Sequence, residues 1–146
     1  PVPNAKLRLF CFPYAGGAAM IFRRWVDRMA SSVEVCPVQL PGRGNRIREV
    51  PFTQMTPLLD VAEGLSPFLE KPFAFFGHSL GAIVSFELAL KLQREGRKLP
   101  VHLFVSGRRA PCIPRQDPIT YNLPDEQFVE ELKRLNGTPK EVLEHA

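Results

Sequence analysis

Gly77-His78-Ser79-Leu80-Gly81 constrains this chain more than any other stretch, because of what stands on either side of it. The apolar, aromatic run Phe73-Ala74-Phe75-Phe76 enters the turn, and a helix-forming segment leaves it. A Gly-x-Ser-x-Gly turn at a strand-to-helix junction holds its serine in a strained backbone conformation. A glycine two residues to either side lets the crossing backbones approach closely. Ser79 is therefore the candidate nucleophile. The three fixed letters alone recur by chance, and the strand before and helix after give them their weight.

The rest of the chain alternates strand and helix. Lys6 to Phe12 alternates and then turns wholly apolar, as a strand entering a sheet interior does, and Pro13-Tyr14-Ala15-Gly16-Gly17 stops it. Met20 to Ala30 predicts an amphipathic helix with Met20, Ile21, Trp25, Val26 and Met29 on its apolar stripe; Arg23, Arg24, Asp27 and Arg28 fall outside it. Val33 to Leu40 reads as a second strand, in which Pro37 lacks a ladder N–H and marks a bulge or the strand's end. Beyond the arginine-bearing loop 41–48, Thr56 caps a helix with Pro57 at its first position. Leu58, Leu59, Val61, Ala62, Leu65 and Leu69 form its apolar face, and Pro67 and Pro72 shorten its end. Leu80 to Arg94 is apolar on most sides and predicts a buried helix with Gly96 as its C-cap. Val101 to Ser106 forms a fourth strand.

Such alternation predicts a mainly parallel sheet with helices on both faces, joined by right-handed crossovers. With the elbow it reads as an α/β-hydrolase core over residues 1–116. Pro111, Pro114 and Pro118 break up the link that follows, and residues 117–146 form a second module. In it Pro124 to Leu135 is a short amphipathic helix with acids in its first turn, and another begins after Thr138-Pro139.

Composition narrows the function classes. At 146 residues, 45% hydrophobic and 23% charged, the chain has material for one soluble globular core. No apolar stretch reaches the ~20 residues that cross a bilayer, and no secretory signal is visible, so no membrane partner is expected. Cys11, Cys36 and Cys112 are odd in number and widely spaced, which suits reduced thiols in the cytoplasm. No Cys-x-x-Cys or similar spacing points to a metal. The net charge of +4 is spread along the chain, without the basic run of a nucleic-acid surface.

Phe12-Pro13-Tyr14-Ala15-Gly16-Gly17, Leu40-Pro41-Gly42-Arg43, Phe75 to Gly81 and Gly137-Thr138-Pro139 together resemble the type II thioesterases. These are the stand-alone hydrolases that accompany nonribosomal peptide and polyketide synthases, with animal relatives that act beside fatty acid synthase. The resemblance implies that Ser79 accepts the acyl group and that the backbone N–H groups of Leu80 and Ala15 form the oxyanion hole. An elbow's own amide and a loop after an earlier strand are also the donors expected on general grounds. The resemblance further implies a helical lid starting near residue 117. It implies an acyl or peptidyl carrier protein as partner, with the substrate carried on phosphopantetheine and no cofactor resident in the chain.

A serine nucleophile needs a histidine base and an acid, which follow it in that order in this fold. His78 adjoins Ser79 but diverges from it along strand and turn, and reads as structural. His102 opens its strand, at the wrong end of the sheet. His145 follows Asp117 and Asp125 in the required order, but no further strand positions it. Some relatives place the acid after the fourth strand, where this sequence has Ser106-Gly107-Arg108-Arg109. The acid and histidine are therefore expected beyond Ala146, and the chain reads as the amino-terminal part of a longer thioesterase. A complementary carboxyl-terminal segment is expected to cover the apolar edge Val101 to Val105.

Arg43, Arg46 and Arg48 follow the second strand, and Arg108, Arg109 and Arg115 the fourth, so both groups belong to the rim that carries Ser79. Arg43, Arg108 and Arg109 are the candidate contacts to a phosphate-bearing carrier. Two other classes stay open: a general carboxylesterase or acyltransferase, and a truncated hydrolase that binds acyl groups or partners without turnover.

Overall fold

A computed structural model describes residues 2–55, 59, 62–114, 120 and 123–135. The chain forms two compact units, Pro1–Arg109 and Ala110–Ala146.

The first unit is built on β1 (Leu7–Phe12), β2 (Val33–Pro37), β3 (Phe73–His78) and β4 (Leu103–Ser106), all parallel, in the spatial order β2-β1-β3-β4. Parallel strands bring all their carboxyl ends to one rim. Ser79, the loop after Phe12, the Leu40-to-Arg43 loop and Gly107 to Arg109 therefore share it.

Period-2 alternation divides the apolar residues between two cores. On one face Phe10, Phe12, Phe73 and Phe75 meet Val84, Leu88 and Leu92 of the helix α2 (Leu80–Arg94). The Phe10, Phe12, Phe73 and Phe75 rings meet edge-on or tilted at 5.3–6.1 Å between centroids. The bounds of α2 are those the sequence predicts. It ends in a Schellman cap: Gly96 at φ 64 donates to the Gln93 carbonyl, and the Arg97 N–H reaches Leu92 O at 2.9 Å.

On the other face Leu9, Cys11, Val35 and Ala74 lie under Phe22 and Trp25. Here the expected stripe is corrected. Residues Ala19–Phe22 form a 3-10 turn and only Arg23–Arg28 is α-helical (α1), so the helical phase differs from that of a continuous helix. Phe22 is buried, whereas Met20, Ile21, Val26 and Met29 face outward at 39–67% exposure. The phase follows the aromatic rings: Trp25 packs 4.7 Å from Phe76, and Phe22 contacts both. Two large rings bury more apolar area than the thin methionine side chains give up.

Strand β2 ends at Pro37. Thr56, Pro57, Leu58 and Val61, expected to begin a helix, lie outside the described residues. The stretch that follows is a 3-10 helix, Ala62–Phe68, with Pro67 inside it. Strand β4 starts two residues later than expected and forms one edge of the sheet, with Phe104 and Val105 exposed.

In the second unit α3 (Asp125–Leu135) carries Asp125 and Glu126 in its first turn and Lys133 and Arg134 in its last, complementing the helix dipole. The helix expected after Pro139 lies outside the described residues. Among the described residues no helix is long and apolar enough to cross a membrane.

Candidate active site

Ser79 adopts φ 53 and ψ −109, and among the described residues no other non-glycine has a positive φ. Such a backbone costs about 1–3 kcal/mol and persists only where its surroundings fix it. The fixing contacts are short. The Ser79 N–H donates to the carbonyl of Ser106 at 2.8 Å, and the Ala82 N–H donates back to the Ser79 carbonyl at 3.1 Å. A Cβ on Gly77 would stand 2.2 Å from the Gly81 carbonyl oxygen, and one on Gly81 would stand 2.1 Å from that of Phe12. Both glycines of the elbow are thus obligatory.

The Gly81–Phe12 approach sets the start of α2 against the end of β1, beside the loop Pro13 to Gly17. Leu80 opens α2, so its N–H is among the first four of a helix, which have no intrahelical acceptor, at the positive end of the dipole. In the loop, Gly16 has φ 79 and the Gly17 N–H closes onto the Tyr14 carbonyl at 2.9 Å, a tight turn that carries Ala15 at the exposed rim. The residues expected as the two oxyanion donors, Leu80 and Ala15, therefore sit on adjoining segments.

His78 is occupied elsewhere. Its Nδ1 lies 3.1 Å from Ser106 Oγ, and its ring meets Tyr14 edge-on at 5.9 Å. His102 stacks on Phe104 at 4.3 Å, and His145 and Asp117 lie outside the described residues. Neither described histidine hydrogen-bonds Ser79. Ser106 is the residue that the sequence reading passes over: scanned for an acid, the position yields a serine that grips both residues of the elbow. Only its place at the end of a strand next to the elbow strand hints at that.

The arginines share the rim without meeting at one point. Arg43 is half-buried, with Nη1 on the Gly42 carbonyl at 2.7 Å. Arg46 is held by Glu49 and the Gln39 carbonyl and serves its own loop. Arg48 and Arg108 are exposed, Arg109 is half-buried and engaged, and Arg115 lies outside the described residues. Because β2 and β4 are opposite edges, Arg43 and the Arg108–Arg109 pair follow strands spaced about 14 Å apart. They flank the elbow from two sides.

A cavity of about 460 Å³ lies against β1 and β2, walled by Phe10, Phe12, Val38, Leu40, Leu65 and Phe68. Arg8, bonded to Glu34 at 2.8 Å, also lines it. Residues that far apart in sequence leave no local signal of it. The buried Cys11 and half-buried Cys36 are poor nucleophiles, since burial pushes their thiols up to about 12 and about 11. No group of three potential metal ligands occurs among the described residues.

Residues 7–146 match the thioesterase domain family. The chain belongs to that family. It is 53% identical over 143 residues to the gramicidin S biosynthesis protein GrsT of Aneurinibacillus migulanus, covering 97% of this chain and 56% of that relative. The thioesterase RedJ of the prodiginine pathway in Streptomyces coelicolor superposes with a TM-score of 0.84 at 46% identity, over 94% of this chain and 52% of that one. The type II thioesterase BorB of the borrelidin cluster does so with a TM-score of 0.80 at 37% identity, over 97% of this chain and 57% of that one. The chain thus spans about half the length of these relatives. The α/β-hydrolase architecture expected from the elbow and the alternation is the architecture found.

Proposed function

We propose that this chain carries the nucleophile and oxyanion-hole part of a serine thioesterase that hydrolyses acyl thioesters. The observation that carries the reading is Ser79, strained at the rim of a parallel sheet and flanked by the Leu80 amide and the Ala15 turn. Ser79 Oγ attacks the thioester carbonyl, the N–H groups of Leu80 and Ala15 hold the resulting oxyanion, and the thiol leaves with a proton. Water then cleaves the acyl-Ser79 ester, releasing the acid and restoring the hydroxyl. The base and acid come from sequence beyond Ala146. A segment there that pairs with β4 would cover the exposed Phe104 and Val105 and bring both groups to the rim.

The substrate is an acyl group on the phosphopantetheine arm of an acyl or peptidyl carrier protein, and no cofactor resides in the chain. Arg43, Arg108 and Arg109 flank Ser79 and suit the arm's phosphate and an acidic carrier surface. Residues from 117 onward begin a lid over the acyl group. GrsT and RedJ, by name, belong to gramicidin S and prodiginine biosynthesis, and a biosynthetic setting in the cytoplasm fits this chain.

Fluorophosphonate labelling tests the reading, on this chain and on one extended to the length of its relatives. Labelling at Ser79 of the extended chain, which also cleaves an acyl thioester in preference to an oxygen ester, is the expected result. Preference for the oxygen ester would favour a carboxylesterase. Absence of label from both chains would leave a binding module without turnover.

A further inference from the structure

His78 and Ser106 face each other across the ends of β3 and β4, and neither is a reacting group in the reading above. A serine at φ 53 is retained only where contacts over-determine it. One such contact, from the Ser79 N–H to the Ser106 carbonyl, depends on where Ser106 stands. His78 fixes that place through Nδ1, 3.1 Å from Ser106 Oγ. The other side of the imidazole meets the Tyr14 ring at an interplanar angle of 88°, within the turn that carries Ala15. Gly107, at φ 62, keeps clear the space that the imidazole fills, since a Cβ there would lie 2.5 Å from His78 Cε1.

We infer that His78 and Ser106 form a positioning brace, which locks the strained Ser79 and ties the elbow to the Tyr14–Gly17 turn so that the Leu80 and Ala15 amides address one point. Its catalytic meaning rests on the nucleophile reading of Ser79, whereas the brace itself is a property of the folded chain.

Amide hydrogen exchange read by NMR on the 146-residue chain tests it. In Ser106→Ala the Ser79, Ala82 and Gly17 amides exchange about fivefold to tenfold faster, the loss of one hydrogen bond. The Leu92 and Phe75 amides keep their rates, and the His78 ring nitrogens shift. His78→Asn, which offers a polar atom but no ring for Tyr14, frees Gly17 more than Ser79. Ser106→Thr restores the hydroxyl and with it the slow rates. Unchanged exchange at Ser79 in Ser106→Ala, or equal acceleration throughout the sheet and α2, would overturn the brace. Fluorophosphonate labelling separates this from the reading it rests on. Label on the extended chain with unchanged exchange sinks the brace alone; accelerated exchange with no label on the extended chain sinks the nucleophile alone.

Discussion

Gly81 lies so close to Phe12 that a single methyl group between them would stand 2.1 Å from the Phe12 carbonyl oxygen. Backbone blocks that contact on both sides, so neither partner can rotate away. Gly81→Ala is expected to destabilise the fold by about 3 kcal/mol or more, as severe overpacking does. Gly64→Ala is the control: it has ordinary φ and no atom within 4 Å of the added carbon, and helical alanine is favoured over glycine by about 0.5–1 kcal/mol. Urea midpoints of the two variants should therefore move in opposite directions. Equal effects would mean that the elbow is looser than described.

Ser79 stores strain that a glycine would not. Ser79→Gly is expected to raise stability by about 1 kcal/mol, the strain recovered less the added freedom of the unfolded chain, while removing the hydroxyl proposed as the site of labelling in the extended chain. Chemical denaturation reads the first effect and fluorophosphonate the second. A variant less stable than the parent would contradict the strained geometry.

The inward residues of the Ala19–Arg28 segment are the aromatic ones. Phe22→Ala is expected to cost about 3–5 kcal/mol, and Met20→Ala less than about 0.5 kcal/mol. Thermal melts of the two variants check the helical phase. The reverse ranking would restore the stripe that periodicity alone suggests.

Stability should fall off at both ends of the pH scale, for opposite reasons. Burial, chiefly, raises the Cys11 thiol from 9.0 to about 12 and the Cys36 thiol to about 11. The unfolded chain loses these protons first, so stability is full below about pH 9 and declines as pH climbs through 11. Glu34 is held below its ordinary 4.5, first by the hydrogen bond from Arg8 and then, against the cost of burial, by the Val2 N–H and the Arg8 charge. Its contribution is present above that value and is lost as pH drops below it. Urea midpoints from pH 3 to 11 should trace this dome, and Glu34→Gln should flatten the acid limb and, because the Glu34 charge also helps to raise the Cys36 thiol, alter the basic limb more weakly. At pH 8 a thiol reagent should find Cys112 accessible in the native chain, with Cys11 and Cys36 joining it only on unfolding.

What the sequence made legible were the features written in neighbouring residues. The elbow, α2 from Leu80 to Arg94, the Gly96 cap and the stop at Pro37 each depend on a few adjacent side chains with fixed backbone demands. The phase of α1 was hidden because it is set by Phe76, about a third of the chain away, and periodicity cannot see which ring wins a shared pocket. Ser106 was hidden for a similar reason: a serine at a strand end has no signature until parallel pairing sets it beside His78. The arginines were placed on the right rim by strand order. Their separation came from the sheet's 2-1-3-4 arrangement, which no local pattern encodes.

That arrangement also sets a timetable. Synthesis delivers β1 first, but its partner β3 starts only at Phe73, and the acceptor of the Ser79 amide arrives later still, with Ser106. Until then β1 and β2 form a two-stranded pair, which is marginal alone, and nothing holds the serine at its strained angle. The strained geometry is thus deferred: an incomplete chain emerging from the ribosome carries Ser79 on slack, ordinary backbone, and its positive φ is imposed only when the fourth strand closes the sheet. Pulsed hydrogen exchange during refolding should find the Ser79 amide protected after those of Phe10 and Leu88.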